Sequence, residues 1–256
     1  TASISGVETL SSIIISKFSI SSGENEAASL VVFFLSGWYP PACLPVRGDL
    51  NSVDLSPFAT NFLVTVFFAS LDLPVISCLE IVKSISNSLA KKVLVASYNE
   101  NLIDLSTKLT TDGKIKFYTW DDTEGKSTFW HSSAHLLAES IESLYPGVKF
   151  GIGPPISNGF YYDIDFVDYD VSKIDLSKIE EKFLSLSREN LEFKKSEVSK
   201  KDALSYFKEK GDNLKLDLIK DLNDGEISFY KQGNFTDLCK GPHIPSSKFI
   251  KSFKIL

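Results

Sequence analysis

The sequence predicts an α+β chain with two compact modules that follow an N-terminal segment of unassigned fold. At 256 residues the chain is long enough for two or three domains, because single domains usually contain about 100–200 residues. Apolar residues recur at helical spacing in some segments and alternate as in strands in others. The hydrophobic fraction of 43% and the charged fraction of 23% are typical of a globular protein, and the sequence has no internal repeats.

Residues 1–73 differ in composition from the rest of the chain. Only Lys17 and Arg47 are cationic there, so 25 of the 27 Lys and Arg residues lie beyond residue 73. Short apolar runs are broken by serine, glycine and the pair Pro40–Pro41, without sustained periodicity. We therefore leave residues 1–73 unassigned and expect a disordered extension or a gene-model artefact, such as an intron or a frame error.

Residues 74–120 predict a small module of helix and sheet. Lys92–Ser97 and Lys114–Thr119 have the character of strands, and Asn99–Asn101 supplies a turn. Asp112-Gly113 between extended runs predicts a hairpin. The apolar residues at helical spacing ahead of these strands are Leu79, Val82, Ile85 and Leu89.

Residues 127–256 predict a second domain, preceded by a polar linker at Asp121–Lys126. A helix should run from near Ser127 to about Leu144, where Tyr145-Pro146-Gly147 ends the helical spacing. The later elements predicted from the same patterns are a strand in Gly159–Phe166, helices over Asp175–Asn190 and Lys200–Lys210, and a hairpin of Glu226–Lys231 and Asn234–Leu238 around Gln232-Gly233.

The cysteines and the apolar runs bear on the cellular compartment. Cys43, Cys78 and Cys239 include no CxxC pair, which argues against a disulfide framework and favours a reducing compartment. No apolar run reaches the roughly 18 residues of a membrane span, so we expect no membrane association. The chain starts at Thr1 and has no methionine, so we expect a fragment of a cytoplasmic protein, or of an organellar one if a lost N-terminus carried a transit peptide.

The three histidines of the chain fall into two pairs with four-residue spacing. His131 and His135 lie on one face of the predicted helix, so both imidazoles can point into one volume. Cys239 and His243 flank Gly241-Pro242, which forbids a regular helix and predicts a turn. We expect the two pairs to face each other across a wet cleft and to form one polar site.

Two chemistries suit two such pairs. Zinc accepts three imidazoles and a thiolate as tetrahedral ligands. Metal-free hydrolysis is the alternative, with imidazoles that position a water molecule and a substrate. Ser132 stands where a thermolysin-type HExxH motif would have glutamate, which excludes that class. A Cys–His nucleophilic enzyme is disfavoured because both residues lie on one tight turn.

Three motifs resemble the editing domain of bacterial-type threonyl-tRNA synthetases in order and spacing. They are HSSAHLLA at 131–138, GIGPPISNGFYYD at 151–163 and TDLCKGPHIP at 236–245. Residues 79–119 resemble the second half of the small β-grasp TGS domain that precedes editing in that family, whereas residues 1–75 depart from it. Alanyl-tRNA synthetase editing domains share the HxxxH and the Cys-x-x-x-His motifs, and free-standing relatives bind zinc there.

The resemblance implies a hydrolase that removes serine from mischarged threonine tRNA. Its catalytic residues would be His131, His135, Lys215, Cys239 and His243. Asp237 would attract the substrate ammonium, and Tyr162 and Gly153 would contribute to the substrate pocket. Lys240 stands where the family usually has arginine, so a point charge replaces a bidentate donor.

The resemblance also implies cofactors and partners. The editing segment would need no metal, although the two Cys/His pairs could serve as zinc ligands. ATP, magnesium and zinc would belong to a ligase core that these residues lack, and a homodimer would form through that core. The partner would be the acceptor end of tRNA(Thr). The competing hypotheses are a zinc-binding alanyl-type or trans-editing module, and a non-catalytic adaptor that binds RNA or protein.

Overall fold

The structure, a computed structural model, describes residues 75–256 in full and, before them, only the backbone of three strands. These strands are β1 Ile13–Ile20, β2 Ala28–Leu35 and β3 Leu63–Phe68. The remaining part of residues 1–73, for which we predicted an extension of unassigned fold, lies outside the described residues. The chain divides into two compact units, Thr1–Asp122 and Thr123–Leu256.

The first unit contains a six-stranded antiparallel sheet in the order β1-β2-β3-β8-β5-β6, and a separate pair of β4 with β7. Apolar side chains of the first helix and of the sheet pack together and are fully buried, as Ile81 of the helix and Ile115 of the sheet show. The bounds of its further elements are β4 Ile76–Ser77, α1 Cys78–Ile85, α2 Asn87–Ala90, β5 Val95–Tyr98, β6 Asn101–Ile103, β7 Lys108–Leu109 and β8 Gly113–Tyr118.

A capping box starts α1. Ser77 accepts a hydrogen bond from the backbone N–H of Glu80, and the Glu80 carboxylate accepts one from the backbone N–H of Ser77. Two of the N–H groups that a helix N-terminus leaves unpaired are thereby satisfied. The capping box fixes the point at which strand β4 turns into the helix.

The hairpin predicted at Asp112-Gly113 is wrong. The strands on either side belong to different sheets, because β7 pairs with β4 whereas β8 pairs with β3 and β5. A hairpin in this unit joins β5 to β6 through Asn99 and Glu100, which both have positive φ. Gly113 is needed for another reason, since the Tyr98 ring lies where a Cβ would stand.

The second unit is built around the long helix α3, which packs against α4 and β15. Three strands form an antiparallel sheet in the order β13-β14-β15, and two short pairs, β9–β12 and β10–β11, complete the unit. The bounds are α3 Thr123–Leu144, β9 Lys149–Phe150, β10 Pro155–Ile156, β11 Gly159–Phe160, β12 Ile164–Asp165, α4 Leu176–Arg188, β13 Lys194–Glu197, α5 Lys200–Glu209, α6 Asn213–Lys220, β14 Ser228–Gln232 and β15 Phe235–Leu238.

Helix α3 is buried although it is rich in serine. Ser132, Ser133 and Ser140 are at most 1% exposed, and each hydroxyl donates to the carbonyl oxygen four residues earlier. These local bonds satisfy groups that would otherwise be costly to bury. The small side chains bring neighbouring elements close to the helix, which is where the histidines lie.

Helix α3 begins at Thr123, so part of the predicted linker Asp121–Lys126 is helical. The polar residues of a first helical turn resemble a linker in sequence, because exposed positions carry no apolar periodicity. Among the described residues, no helix has the length and apolar character that a bilayer span requires.

Two apolar cores hold the second unit together. One joins α3, α4, β9 and β15 through Ile141, Phe150 and Phe235, all at most 3% exposed. The other joins α5, α6 and β14 through Phe207 and Ile219. Both cores lie on elements that carry residues of the predicted site, so packing fixes the position of those residues.

Candidate functional site

Helix α3 and the loop after β15 bring the two predicted pairs of side chains together. His131 and His135 lie one helical turn apart, with ring centroids separated by 5.3 Å. Cys239 follows β15, and the loop returns through the cis peptide bond Gly241-Pro242 to His243. The ligand atoms of the four side chains all lie within 4.8 Å of one another. We call these four residues the histidine–cysteine cluster.

The thiol of Cys239 is the centre of this cluster. Its Sγ lies 3.2 Å from Nε2 of His131 and 3.3 Å from Nε2 of His243, and it accepts a hydrogen bond from the backbone N–H of Gly241. The pairs therefore touch directly, whereas the sequence led us to expect a wide cleft between them. His131 and Cys239 form the half-buried side of the cluster.

Ser132 fixes the orientation of the His243 ring. Its Oγ lies 3.0 Å from Nδ1 of His243, donates to the Thr128 carbonyl oxygen and accepts from the backbone N–H of Ile244. A serine hydroxyl has one proton, so Nδ1 of His243 must be the donor to Oγ. Nε2 then carries the lone pair and faces the Cys239 sulfur.

Burial keeps the imidazoles neutral. Desolvation is the largest cause that lowers the pKa of His131, and a hydrogen bond to the Pro242 backbone and the charge of Asp237 oppose it. The pKa values of His135 and His243 lie well below the usual imidazole range, because both rings are fully buried beside other imidazoles. Neutral imidazoles can accept protons or bind metals.

We expect the free energy of unfolding to fall as the pH drops below about 6.5, the usual histidine pKa. The unfolded chain binds protons there while the buried rings of the folded protein do not, so acid favours unfolding. Glu139 acts in the opposite direction, since burial raises its pKa, but it is one group against three. Urea unfolding at about pH 7.5 and about pH 5.5 checks this. Equal or greater stability at the lower pH would contradict it.

A second polar group consists of Lys215, Asp237 and Tyr162. Lys215 Nζ donates to Asp237 Oδ2 at 2.9 Å and to the Gly151 carbonyl oxygen at 3.0 Å. The side chains of Lys215 and Asp237 are only 4% and 5% exposed, so this is a buried ion pair. Tyr162 donates to the same Oδ2 at 3.1 Å, and burial is the main reason that its pKa is well above the usual range.

Gly153 allows the Tyr162 ring to take this position. A Cβ on Gly153 would come within 2.5 Å of the ring, so any larger residue would displace the tyrosine. Gly153 thus acts through Tyr162.

The two polar groups influence each other electrostatically. Asp237 raises the pKa of His131, and Lys215 lowers that of His135. A cavity of about 220 Å³ adjoins Asp237 and is also lined by Lys210 and Phe235. No residue of the histidine–cysteine cluster lines this cavity. Lys240 is exposed.

Three buried residues near the cluster were not predicted from the sequence: Ser132, Gln232 and Glu139. Their partners are 95 to 112 residues away along the chain, so no local spacing could reveal them. The sequence indicated a possible role in the site only through the positions of two of these residues. Ser132 directly follows a site histidine, and Gln232 lies in the predicted turn.

Comparison with known proteins relates part of this site to a known domain. The family model of the threonyl and alanyl tRNA synthetase second additional domain matches residues 227–256, which include Asp237, Cys239 and His243. The chain therefore carries part of a domain that occurs in these two classes of aminoacyl-tRNA synthetase.

Several curated relatives with sequences similar to this chain are threonine–tRNA ligases. The chain is 55% identical over 181 residues to the threonine–tRNA ligase of Cytophaga hutchinsonii, an alignment that covers 71% of this chain and 28% of the relative. The threonine–tRNA ligases of Parabacteroides distasonis and Carboxydothermus hydrogenoformans are each 47% identical over 180 and 182 residues, with 70% and 71% of this chain and 28% of each relative covered. The matched part of the chain is related to threonyl-tRNA synthetases, and the chain spans less than a third of the length of these relatives.

Proposed function

We propose that this segment hydrolyses the ester between serine and the 3′ end of tRNA(Thr), and that the parent enzyme attaches threonine to the same tRNA with ATP. The observation that carries the proposal is the convergence of three neutral imidazoles and one thiol, whose ligand atoms lie within 4.8 Å of one another, beside a buried Lys215–Asp237 ion pair. Neutral imidazoles at a half-buried surface suit proton transfer to and from water near neutral pH.

His131 is the general base in this proposal. Its ring is neutral, and it is the least buried of the three imidazoles. A water molecule that loses its proton to His131 forms a bond from its oxygen to the ester carbonyl carbon. The bond from that carbon to the ribose oxygen then breaks, and the ribose oxygen takes up a proton. The Pro242 carbonyl and the charge of Asp237 stabilise the imidazolium that forms in between.

Asp237 orients the amino group of the substrate. Oδ2 is occupied by Lys215 and Tyr162, and Oδ1 accepts from the backbone N–H of Leu238. A carboxylate offers about four lone-pair positions, so Oδ1 retains one for an ammonium group. Lys215 and Tyr162 hold the carboxylate in place for this contact.

A separate hydrolytic site compensates for the weak discrimination between two amino acids that differ by one methyl group. Serine lacks one methyl of threonine, and one methyl or methylene discriminates by only about 1–3 kcal/mol in a pocket. A second site that admits serine and excludes the larger threonine can remove the errors that a synthetic site makes.

Deacylation of Ser-tRNA(Thr) and of Thr-tRNA(Thr) by the purified chain tests the proposal. We expect faster release of serine than of threonine. Ser127→Ala is a matched control, because Ser127 is exposed on the same helix as His131. A folded chain that releases no serine would contradict hydrolysis and would favour a non-catalytic adaptor that binds RNA or protein.

Zinc binding is the second candidate function, and the geometry of the cluster supports it. Zinc ligands at about 2.3 Å for sulfur and 2.0–2.1 Å for nitrogen stand roughly 3.5 Å apart in a tetrahedron. The distances of 3.2 and 3.3 Å from Cys239 Sγ to two imidazole nitrogens come close to this value. His131, His135, Cys239 and His243 would hold the ion, and zinc would supply Lewis acidity or structural support.

Metal analysis separates the two candidates. We expect the dialysed chain to retain no stoichiometric zinc and to keep its melting temperature in the presence of a chelator. One zinc per chain, together with unfolding on chelation, would favour the zinc-binding module.

A further inference from the structure

Gln232 has a fully buried side-chain amide beside His135, and this amide has no role in the proposed hydrolysis. Its side chain Nε2 donates to the backbone carbonyl oxygen of His135 at 2.9 Å, which fixes the orientation of the amide. Within residues 75–256, Oε1 of Gln232 and Nδ1 of His135 are both buried without a hydrogen-bond partner. An amide oxygen accepts and a protonated Nδ1 donates, so the two atoms are complementary.

The Gln232 side chain lies close to the imidazole ring of His135. Burial, together with the charges of His131 and Lys215, lowers the pKa of His135, and a hydrogen bond with the Gln232 side chain partly opposes this lowering. Small rotations of either side chain are therefore enough to bring Oε1 and Nδ1 into contact. Buried polar atoms pair wherever a partner is in reach, because an unpaired one loses its bonds to water.

The His243 ring has the arrangement that we expect for His135. Its Nδ1 donates to Ser132, which lies outside the histidine–cysteine cluster, and its Nε2 lone pair faces Cys239 Sγ. The His131 ring also has a partner outside the cluster, because it hydrogen-bonds the Pro242 backbone.

Glu139 holds Gln232 in place through the turn between β14 and β15. Glu139 Oε1 accepts from the backbone N–H of Asn234 at 2.9 Å. Gly233, with φ of +49°, lies directly against the carboxylate, so a side chain at this position would displace Glu139. The turn that carries Gln232 is thus fixed to the same helix as His135.

We propose that Gln232 is a positioning residue: its Oε1 accepts a hydrogen bond from Nδ1–H of His135 and keeps the Nε2 lone pair directed at the histidine–cysteine cluster. Glu139 supports Gln232 by anchoring the turn. Only the effect on reaction rate rests on the proposed hydrolysis, because the protonation pattern of the ring does not depend on any activity.

Nitrogen NMR of the full chain labelled with ¹⁵N-histidine tests the proposal, and three histidines give few signals to assign. In the unsubstituted chain we expect His135 to carry its proton on Nδ1. In Gln232→Leu we expect a mixture of the two ring forms at His135, with His131 and His243 unchanged. Gln232→Glu keeps an acceptor oxygen and should restore the Nδ1–H form. Lys231→Leu, at the neighbouring exposed position, is the control.

A rate measurement adds a readout that a purely structural role would not change. We expect Gln232→Leu to lower kcat for serine release by about 10–100-fold with little change in KM, and Gln232→Glu to recover most of it. An Nε2–H ring at His135 in the unsubstituted chain would overturn the proposal, and that measurement requires no substitution to fold. An unchanged His135 spectrum in folded Gln232→Leu would overturn it as well. If the chain proves inactive, the spectra still decide the role of Gln232.

Discussion

Replacing His131 with alanine is expected to lower the rate of serine release from Ser-tRNA(Thr) by about 10²–10⁴-fold, the usual contribution of a general base. The substitution removes the imidazole that faces Cys239 and leaves the buried His135 and His243 in place. Steady-state deacylation measures the loss.

The fold should survive this substitution. The His131 ring is half-buried and has few polar contacts, so we expect a loss of less than about 2 kcal/mol in the free energy of unfolding. Ser127→Ala, on the same helix, should change neither quantity. A folded His131→Ala variant that retains its rate would show that His131 is not the base, and a collapse of stability would show that its role is structural.

Replacing Lys215 with methionine is expected to destabilise the chain by about 3–5 kcal/mol, because it leaves the Asp237 carboxylate buried without its cation. The matched control is Lys220→Met on the same helix. Lys220 pairs with Asp217, but these side chains are 68% and 70% exposed, so this substitution should cost less than about 1 kcal/mol. Urea unfolding of both variants gives the comparison.

A double substitution separates the loss of the pair from the loss of packing. In Lys215→Met with Asp237→Leu no buried charge remains unpaired, so much of the lost stability should return while hydrolysis stays absent. Equal stability losses in Lys215→Met and Lys220→Met would contradict a buried, paired role for Lys215.

Sequence periodicity predicted the elements that carry the site. Helix α3 and the β14–β15 hairpin have a buried face with regular spacing, and the predicted ends at Leu144 and around Gln232-Gly233 agree with the structure. The pairing of His131 with His135 followed from helical geometry alone. The convergence of Cys239 and His243 with them was inferred from the rarity of these residue types, and the structure places all four together.

Elements that depend on distant contacts were missed. Helix α6 is short and lies next to Gly211, so its helical pattern is weak, although Asp212 caps it and it carries Lys215. Strand β13 is exposed along its whole length and has no apolar alternation. The prediction of a hairpin at Asp112-Gly113 was wrong, because a local turn signal does not determine which strands pair. Resemblance to a family, and not periodicity, singled out Lys215, whose buried partner Asp237 is 22 residues away.

Binding of a non-hydrolysable seryl amide of adenosine tests the central claim most directly, if the structure of the complex is determined. We expect the amide carbonyl to lie within reach of a water molecule in contact with the His131 ring, with the serine ammonium against Oδ1 of Asp237. An analogue bound in the cavity between Lys210 and Phe235, with its carbonyl far from the histidine–cysteine cluster, would contradict it.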